Sequence, residues 1–210
     1  MMIRIRPPSA GESILCIDGG GVRGIIPLMM LIGVQEPLDL LIPVQELFTM
    51  VYGISVGLLR WILSFFTDSV YEPQGIEKAL MKLHGNNKMT DISYATYIGA
   101  KVGVLAATTE NPSVYLFTNY NGVGNLRSGY HVIRTSENAE LWEMKKQLCS
   151  PCILPPKYIQ GIGSFQDAGI LKNNPVALVL SEYYALHGDR KLDIVLNLGT
   201  GSTLSPVPPG

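Results

Sequence analysis

Residues 47–57 read LFTMVYGISVG, an apolar run that ends in a GxSxG motif. The apolar part predicts a short buried strand, and the apolar residues Leu58–Phe66 after the motif predict a helix. A strand, a sharp turn and a helix in this order place the serine on an exposed elbow, and the two glycines let the flanking elements pack closely. We therefore predict that Ser55, between Gly53 and Gly57, is a nucleophile. The alternative is a glycine-rich turn with an incidental serine.

A second strand-to-helix junction lies upstream. The run Ser13–Asp18 predicts a strand, Ile25–Gln35 predicts a helix, and residues 18–24 between them read DGGGVRG. Consecutive glycines let backbone N–H groups converge, because no Cβ atom stands in the way. Acyl transfer needs such donors to stabilise the oxyanion of its tetrahedral intermediate. A phosphate- or dinucleotide-binding loop is the rival interpretation. Its fingerprint is not matched, because no clear strand precedes Asp39, the acid at the expected closing position, and no Walker lysine follows.

The rest of the chain continues the alternation of strands and helices. Several strands are apolar throughout, which is typical of a mostly parallel sheet covered on both faces, so we predict an α/β fold. The main domain is predicted over residues 13–204, between an irregular lead-in at residues 1–12 and a proline-rich tail at residues 205–210. The other predicted strands are Leu47–Tyr52, Lys101–Thr108, Val114–Thr118, one ending over Ser164–Ala168 and Leu192–Leu198, and the other predicted helices are Gly75–His84, Asn138–Leu148 and one that Asn174 caps and Gly188 ends.

The candidate base is Asp167, which begins the sequence Asp-Ala-Gly at a predicted strand end before a capped helix. The chain has three histidines, His84, His131 and His187. In a Ser-Asp-His hydrolase the histidine follows the acid in the chain, which leaves only His187. His187 precedes Gly188 in the last turn of a predicted helix, where the helix dipole favours a cation, so a capping role is the simpler interpretation. A histidine-dependent α/β-hydrolase is the alternative.

Composition narrows the class of function. The net charge is −1, so the chain has no field of one sign to hold nucleic acid, and we predict no nucleic-acid partner. No apolar stretch approaches the roughly 20 residues of a transmembrane helix, and the N-terminus lacks a signal-peptide layout, which predicts a cytoplasmic protein. Cys149 and Cys152 supply only two of the ligands that a structural zinc needs. We therefore interpret them as unlinked thiols rather than as a zinc site.

Three motifs occur in a defined order: GGGxRG at residues 19–24, GxSxG at residues 53–57 and DAG at residues 167–169. The combination resembles the patatin-like phospholipases, and the resemblance extends over about residues 13–202. It implies a three-layer α/β/α sandwich and a Ser–Asp dyad that works without histidine and without metal. Further matching stretches are LFTNY at residues 116–120, NNP at residues 173–175 and LGTG at residues 198–201.

The resemblance assigns a role to each site residue. Ser55 is the nucleophile and Asp167 is the general base. The glycine-rich loop is the oxyanion hole, with two of its glycines as N–H donors and an arginine that braces the loop. These loop residues are Gly19, the donors Gly20 and Gly21, and Arg23.

The resemblance implies an esterase of lipid acyl chains that needs no cofactor. The expected partner is a phospholipid or another lipid ester, with transient contact to a membrane surface. Several departures stand against the family pattern. Leu58 replaces a second glycine after the elbow, the segment between the elbow helix and Gly75 is shortened, the stretch Cys149–Leu154 is poorer in alanine, and few residues follow the last strand. The alternative is therefore a non-catalytic relative that binds lipid or a protein partner.

Overall fold

The structure of the protein is a computed structural model that describes residues 10–36, 44–54, 94–122, 127–133, 157–159 and 161–201. These residues contain an eight-stranded sheet. Its strands are β1 (Glu12–Ile17), β2 (Met50–Ile54), β3 (Lys101–Thr108), β4 (Val114–Thr118), β5 (His131–Ile133), β6 (Lys157–Ile159), β7 (Gly163–Asp167) and β8 (Leu192–Leu198). The helices are α1 (Ile25–Gln35), α2 (Tyr94–Tyr97) and α3 (Val176–His187), with 3₁₀ helices at Gly21–Gly24, Val44–Leu47 and Ala168–Ile170.

The sheet is mixed, and its centre is parallel. Along the main path the strand order is β5-β4-β3-β2-β1-β8, and β7 pairs with β3 and β6. β1 runs parallel to β2 and β8, and β2 runs parallel to β3. β4 is antiparallel to β3, and β7 is antiparallel to both β3 and β6. The prediction of an α/β fold with a mostly parallel sheet is confirmed.

Helices cover both faces of this sheet. Successive residues of a strand point to opposite faces, so each apolar strand serves two cores. Leu15 of β1 packs in the core that contains Leu31 of α1, whereas Cys16, the next residue, packs in the core that contains Tyr183 of α3. All four side chains are at most 2% exposed. A sheet between two helix-covered cores is the predicted three-layer sandwich.

Most predicted elements within the described ranges are confirmed. The helix Ile25–Gln35 and the strands Lys101–Thr108, Val114–Thr118 and Leu192–Leu198 have the predicted bounds. β1 begins and ends one residue before the predicted strand, and β7 ends one residue before Ala168. α3 begins one residue later than predicted, because its N-cap is Pro175 rather than Asn174. Asn174 Oδ1 accepts a hydrogen bond of 2.9 Å from the N–H of Val176, and Gly188 follows the last residue of α3, as predicted. Outside the described residues lie the helices predicted over Leu58–Phe66, Gly75–His84 and Asn138–Leu148, the thiols of Cys149 and Cys152, and the tail at residues 205–210.

The strand predicted over Leu47–Tyr52 is displaced along the chain. Leu47, the first residue of the predicted strand, instead ends the 3₁₀ helix Val44–Leu47, and the Ser13 hydroxyl donates to its carbonyl at 2.7 Å. This hydrogen bond holds the helix against the start of β1, so β2 begins only at Met50. At its other end β2 continues through Gly53, because this residue pairs with both β1 and β3.

β2 and β7 meet end to end on one edge of β3. β2 pairs as far as Ile54, opposite Leu105, and Asp167 of β7 pairs with the next residue, Ala106. β4 occupies the other edge of β3 over Gly103–Ala107, so β2 and β7 share the remaining edge. Because β2 is parallel and β7 antiparallel to β3, their carboxyl ends point at each other. The last residues of the two strands, Ile54 and Asp167, therefore lie next to each other along β3.

A buried ion pair fixes the connection between β4 and β5. Glu182 lies in α3 and has no exposed surface. Arg127 donates to its two carboxylate oxygens from Nε at 2.9 Å and from Nη2 at 3.0 Å. The hydroxyl groups of Tyr130 and Tyr120 donate to the same carboxylate at 2.7 and 3.1 Å. Arg127 and Tyr130 belong to the connection, so these bonds hold it against α3.

Candidate active site

Asp167 is the last residue of β7 and is 3% exposed. Its Oδ1 atom accepts a hydrogen bond of 2.8 Å from the N–H of Gly169, which makes Asp167 the N-cap of the 3₁₀ helix Ala168–Ile170. Aspartate is favoured at the start of a helix because its carboxylate satisfies a backbone donor that the helix leaves unpaired. The sequence Asp-Ala-Gly thus fixes the orientation of this carboxylate at the end of the strand.

The carboxyl end of β2 leads into the predicted elbow. Gly53 lies within β2, and Ile54 is its last residue. Ser55 and Gly57 lie outside the described residues, so the separation of Ser55 from Asp167 stays a prediction. What the structure gives is the end of the strand that precedes Ser55, and this end points at Asp167 along the edge of β3.

The glycine-rich loop packs against the same strand end. The N–H of Gly19 donates to the carbonyl of Asn173 at 3.0 Å. A Cβ atom on Gly19 would lie 2.6 Å from Asn173 Oδ1 and 3.2 Å from Ile54 Cγ2, so a larger residue does not fit without displacing them. Because the Gly19 N–H is bonded within the fold, Gly19 positions the loop, and Gly20 and Gly21 are the candidates for oxyanion donors.

The loop after β8 contacts the glycine-rich loop from the other side. Thr200 is 3% exposed and donates from Oγ1 to the carbonyl of Gly19 at 2.8 Å. A Cβ atom on Gly20 would overlap the Thr200 side chain. Arg23 donates from its backbone N–H to the Gly20 carbonyl at 3.0 Å and from Nη1 to the Gly201 carbonyl at 3.1 Å. Arg23 therefore bridges the two loops.

Asp18 lies where the loops after β1, β7 and β8 converge. Its N–H donates to the carbonyl of Leu198 at 3.0 Å. Burial raises the pKa of its carboxyl group, and the side-chain amides of Asn197 and Asn174, acting as hydrogen-bond donors, oppose that rise. Its Oδ1 atom is buried and has no hydrogen-bond partner among the residues that the structure describes.

Asn173 and Thr200 bind the glycine-rich loop and Asn174 binds Asp18, but none of the three was among the predicted site residues. They lie in the stretches NNP and LGTG, which carried the family resemblance without a role for their side chains. That shared pattern was the available signal. It could not show that both stretches contact the glycine-rich loop, because those contacts join residues far apart in the chain.

Neither described histidine, His131 or His187, lies near Asp167 or the glycine-rich loop. His187 Nδ1 lies 4.0 Å from Oε1 of Glu12, the first residue of β1, whereas the glycine-rich loop follows the last residue of that strand. The two ends of β1 are roughly 16 Å apart at about 3.3 Å per residue. His131 is separated from Asp167 by three strand spacings, roughly 14 Å at about 4.8 Å each. This geometry argues against His187 as the catalytic base; His84 lies outside the described residues.

Cys16 is also no rival nucleophile. Its side chain is fully buried in β1, and burial raises the pKa of its thiol to about 12. A thiol with that pKa forms little of the reactive thiolate at neutral pH. Within the described ranges, no three His, Cys, Asp or Glu side chains are grouped as a metal site would require. Nor do those ranges contain a helix long and apolar enough to cross a membrane.

The chain is similar to known phospholipases. It is 26% identical over 232 residues to rabbit (Oryctolagus cuniculus) calcium-independent phospholipase A2-gamma, covering 94% of this chain and 29% of that protein. It is 25% identical over 234 residues to the mouse (Mus musculus) 85/88 kDa calcium-independent phospholipase A2, covering 91% of this chain and 27% of the relative. The human (Homo sapiens) calcium-independent phospholipase A2-gamma is 25% identical over 94% of this chain. No protein-family model matches the chain.

The chain thus spans less than a third of the length of these relatives. The alignment with the rabbit protein is longer than the chain of 210 residues, so that protein has residues in this region that the chain lacks. The shared region nevertheless includes almost all of this chain. With its three-layer fold, its ordered motifs and these matches, the chain is a distant relative of the calcium-independent phospholipases A2 and, through them, of the patatin-like phospholipases.

Proposed function

We propose that the chain is a lipid acyl hydrolase of the phospholipase A type, with Ser55 as nucleophile and Asp167 as general base. Asp167 removes the hydroxyl proton of Ser55 while the serine oxygen attacks the ester carbonyl, which gives a tetrahedral intermediate. This intermediate collapses to an acyl-enzyme as the ester C–O bond breaks, and the leaving oxygen takes the proton from Asp167 and departs as an alcohol. Asp167 then activates a water molecule, whose attack releases the fatty acid and restores the serine.

The observation that supports this dyad most strongly is the meeting of β2 and β7. Ile54, which precedes Ser55 in the chain, is opposite Leu105, and Asp167 is opposite the adjacent Ala106. A dyad requires its two residues to be neighbours. The register makes Asp167 a neighbour of Ile54, the residue directly before the serine. The motif strands come from the first and last thirds of the chain, so their convergence is not a consequence of sequence proximity.

The glycine-rich loop supports acyl transfer rather than another use of the serine. Gly19 packs against Ile54, so the loop lies at the strand end that leads to the proposed nucleophile. The N–H of Gly19 is bonded to Asn173, which makes Gly20 and Gly21 the proposed donors to the oxyanion. One well-placed donor of this kind contributes about 10²–10³-fold to turnover.

The proposed substrates are phospholipids or other lipid esters, reached by transient contact with a membrane surface. The support is the name of the relatives, which are calcium-independent phospholipases A2. A second candidate is a non-catalytic lipid-binding protein. The observation in its favour is that the relatives have residues in the aligned region that this chain lacks.

Labelling by a fluorophosphonate probe tests the nucleophile. The purified chain should be labelled and should hydrolyse a short-chain ester, whereas Ser55→Ala should do neither and keep the same melting temperature. Ser181→Ala is the matched control, because Ser181 is exposed on α3. Labelling of Ser55→Ala at the wild-type level would refute the assignment. An unlabelled wild type that binds phosphatidylcholine vesicles would favour the non-catalytic candidate.

The base needs a separate variant. Asp167→Asn should lower turnover by about 10²–10⁴-fold, the usual contribution of a general base. Asp189→Asn makes the same change at an exposed position after α3 and should have no effect. Turnover that survives in Asp167→Asn would mean that another group accepts the serine proton.

A further inference from the structure

Thr200 contacts the glycine-rich loop at one particular peptide unit. Its Oγ1 atom donates to the carbonyl of Gly19 at 2.8 Å, and the residue is 3% exposed. The carbonyl of Gly19 and the N–H of Gly20 belong to the same peptide unit, which is planar and trans. In a trans unit the C=O and N–H bonds point in opposite directions. A hydrogen bond that fixes the Gly19 carbonyl therefore also fixes the direction of the Gly20 N–H.

The neighbouring peptide units are held as well. The N–H of Gly19 donates to Asn173, and the carbonyl of Gly20 accepts from the N–H of Arg23, each at 3.0 Å. A glycine backbone rotates with little restriction from its own side chain, so external contacts must set its conformation. Thr200 adds bulk as well as a hydroxyl group, because its side chain fills the space that a Cβ atom on Gly20 would occupy.

We propose that Thr200 is a positioning residue for the oxyanion hole, whose hydroxyl group directs the N–H of Gly20 toward the reacting ester. This inference rests on the proposed acyl hydrolase function. Thr200 acts through the Gly19–Gly20 peptide unit and touches no reacting atom. The same hydrogen bond polarises the peptide unit, which strengthens its N–H group as a donor.

Thr200→Val tests this role, because it keeps the shape of the side chain and removes the hydroxyl. It should lower kcat for a soluble short-chain ester by about 10–100-fold, since misplacement of a catalytic donor by an ångström has effects of that order. KM should change by less than about threefold, because the donor acts on the transition state rather than on the bound ester. Thr200→Ser keeps the hydroxyl and should restore most of kcat.

Thr118→Val is the matched control. Thr118 is also 3% exposed and also donates to a backbone carbonyl, that of Tyr120 at 2.7 Å. It is the last residue of β4 and pairs with Gly103, near the start of β3 and away from the strand ends that carry the site. Both valine variants should lose similar stability in thermal melts, and only Thr200→Val should lose kcat. Equal kcat in Thr200→Val and wild type, or an equal loss in Thr118→Val, would overturn the proposal.

A readout without activity separates this inference from the proposed function. Hydrogen exchange of the Gly19 and Arg23 amides, whose hydrogen bonds hold the neighbouring peptide units, should be followed by NMR. It should accelerate at least about tenfold in Thr200→Val and remain at the wild-type rate in Thr118→Val. If the wild type is not labelled by the fluorophosphonate probe, the proposed hydrolase fails, and this exchange still decides whether Thr200 orders the peptide unit. Unchanged exchange in Thr200→Val would refute that ordering.

Discussion

Replacing Glu182, a buried residue of α3, with leucine should strongly destabilise the protein. The carboxylate is completely buried and accepts hydrogen bonds from Arg127, Tyr130 and Tyr120. Leucine would leave the Arg127 guanidinium without its anionic partner. Water cannot replace that partner, because the side chain of Arg127 is only 8% exposed. It would also remove the acceptor of two tyrosine hydroxyls in the same interior.

Removal of one partner from a buried ion pair costs about 3–5 kcal/mol, because the remaining charge stays desolvated. Whole domains have free energies of unfolding of about 5–15 kcal/mol, so the loss is a large fraction of the total. With a denaturant slope of about 2 kcal/mol/M, the midpoint of urea unfolding should fall by roughly 1.5–2.5 M. Circular dichroism at equilibrium measures this midpoint.

Two controls define what the midpoint means. Glu110→Leu makes the same substitution at an exposed turn and should stay within about 0.5 kcal/mol of wild type. The double variant Glu182→Leu/Arg127→Met removes both charges and should be more stable than Glu182→Leu alone, since no unpaired charge is left buried. A midpoint for Glu182→Leu within about 0.3 M of wild type, or no recovery in the double variant, would refute the reasoning.

Three further substitutions test other parts of the fold. Gly19→Ala places a methyl group against Asn173 Oδ1 and should cost about 1–3 kcal/mol in thermal unfolding; an unchanged melting temperature would contradict the contact. Gly33→Ala, within α1 and with no atom within 4 Å of the added carbon, should instead raise stability by about 0.5–1 kcal/mol, and a loss would mean that the space is filled. Burial and the charge of Lys101 lower the pKa of His187, so the folded state binds the imidazole proton less readily than the unfolded state. The free energy of unfolding should therefore fall as the pH drops below about 6.5. His187→Gln should remove that part of the pH profile without reducing ester hydrolysis.

Local pattern was sufficient to predict the elements whose ends carry strong signals. Leu192–Leu198 is an apolar run between Lys191 and Gly199, and β8 has these bounds. Gly188 ends α3 with a positive φ of 59°, as a glycine at that position predicts. The pattern failed at the start of β2, because Leu47 could begin a strand or end a turn of helix, and the contact of its carbonyl with Ser13 lies outside the local pattern.

The direction and partners of β7 could not be predicted from its own residues. β7 follows β6 in an antiparallel hairpin, and this reversal sends its carboxyl end toward that of β2. The strands before Asp18, Ser55 and Asp167 end next to one another in the sheet, as the register of the described strands shows. The contact of Ser55 with Asp167 stays a prediction, and the role of Thr200 needed a structure because the hydrogen bond spans 181 residues.

The pairing of β1 with β8 sets an order of events during synthesis. The ribosome makes the glycine-rich loop first, and the residues that bind its Gly19 carbonyl and Arg23, which are Thr200 and Gly201, emerge 178 residues or more later. Closing so long a stretch of chain costs entropy before the new contacts repay any of it. The glycine-rich loop is therefore translated well before the contacts that make it rigid. A nascent chain halted before β8 should remain sensitive to proteolysis at Gly19–Gly21, and release of the full chain should protect it.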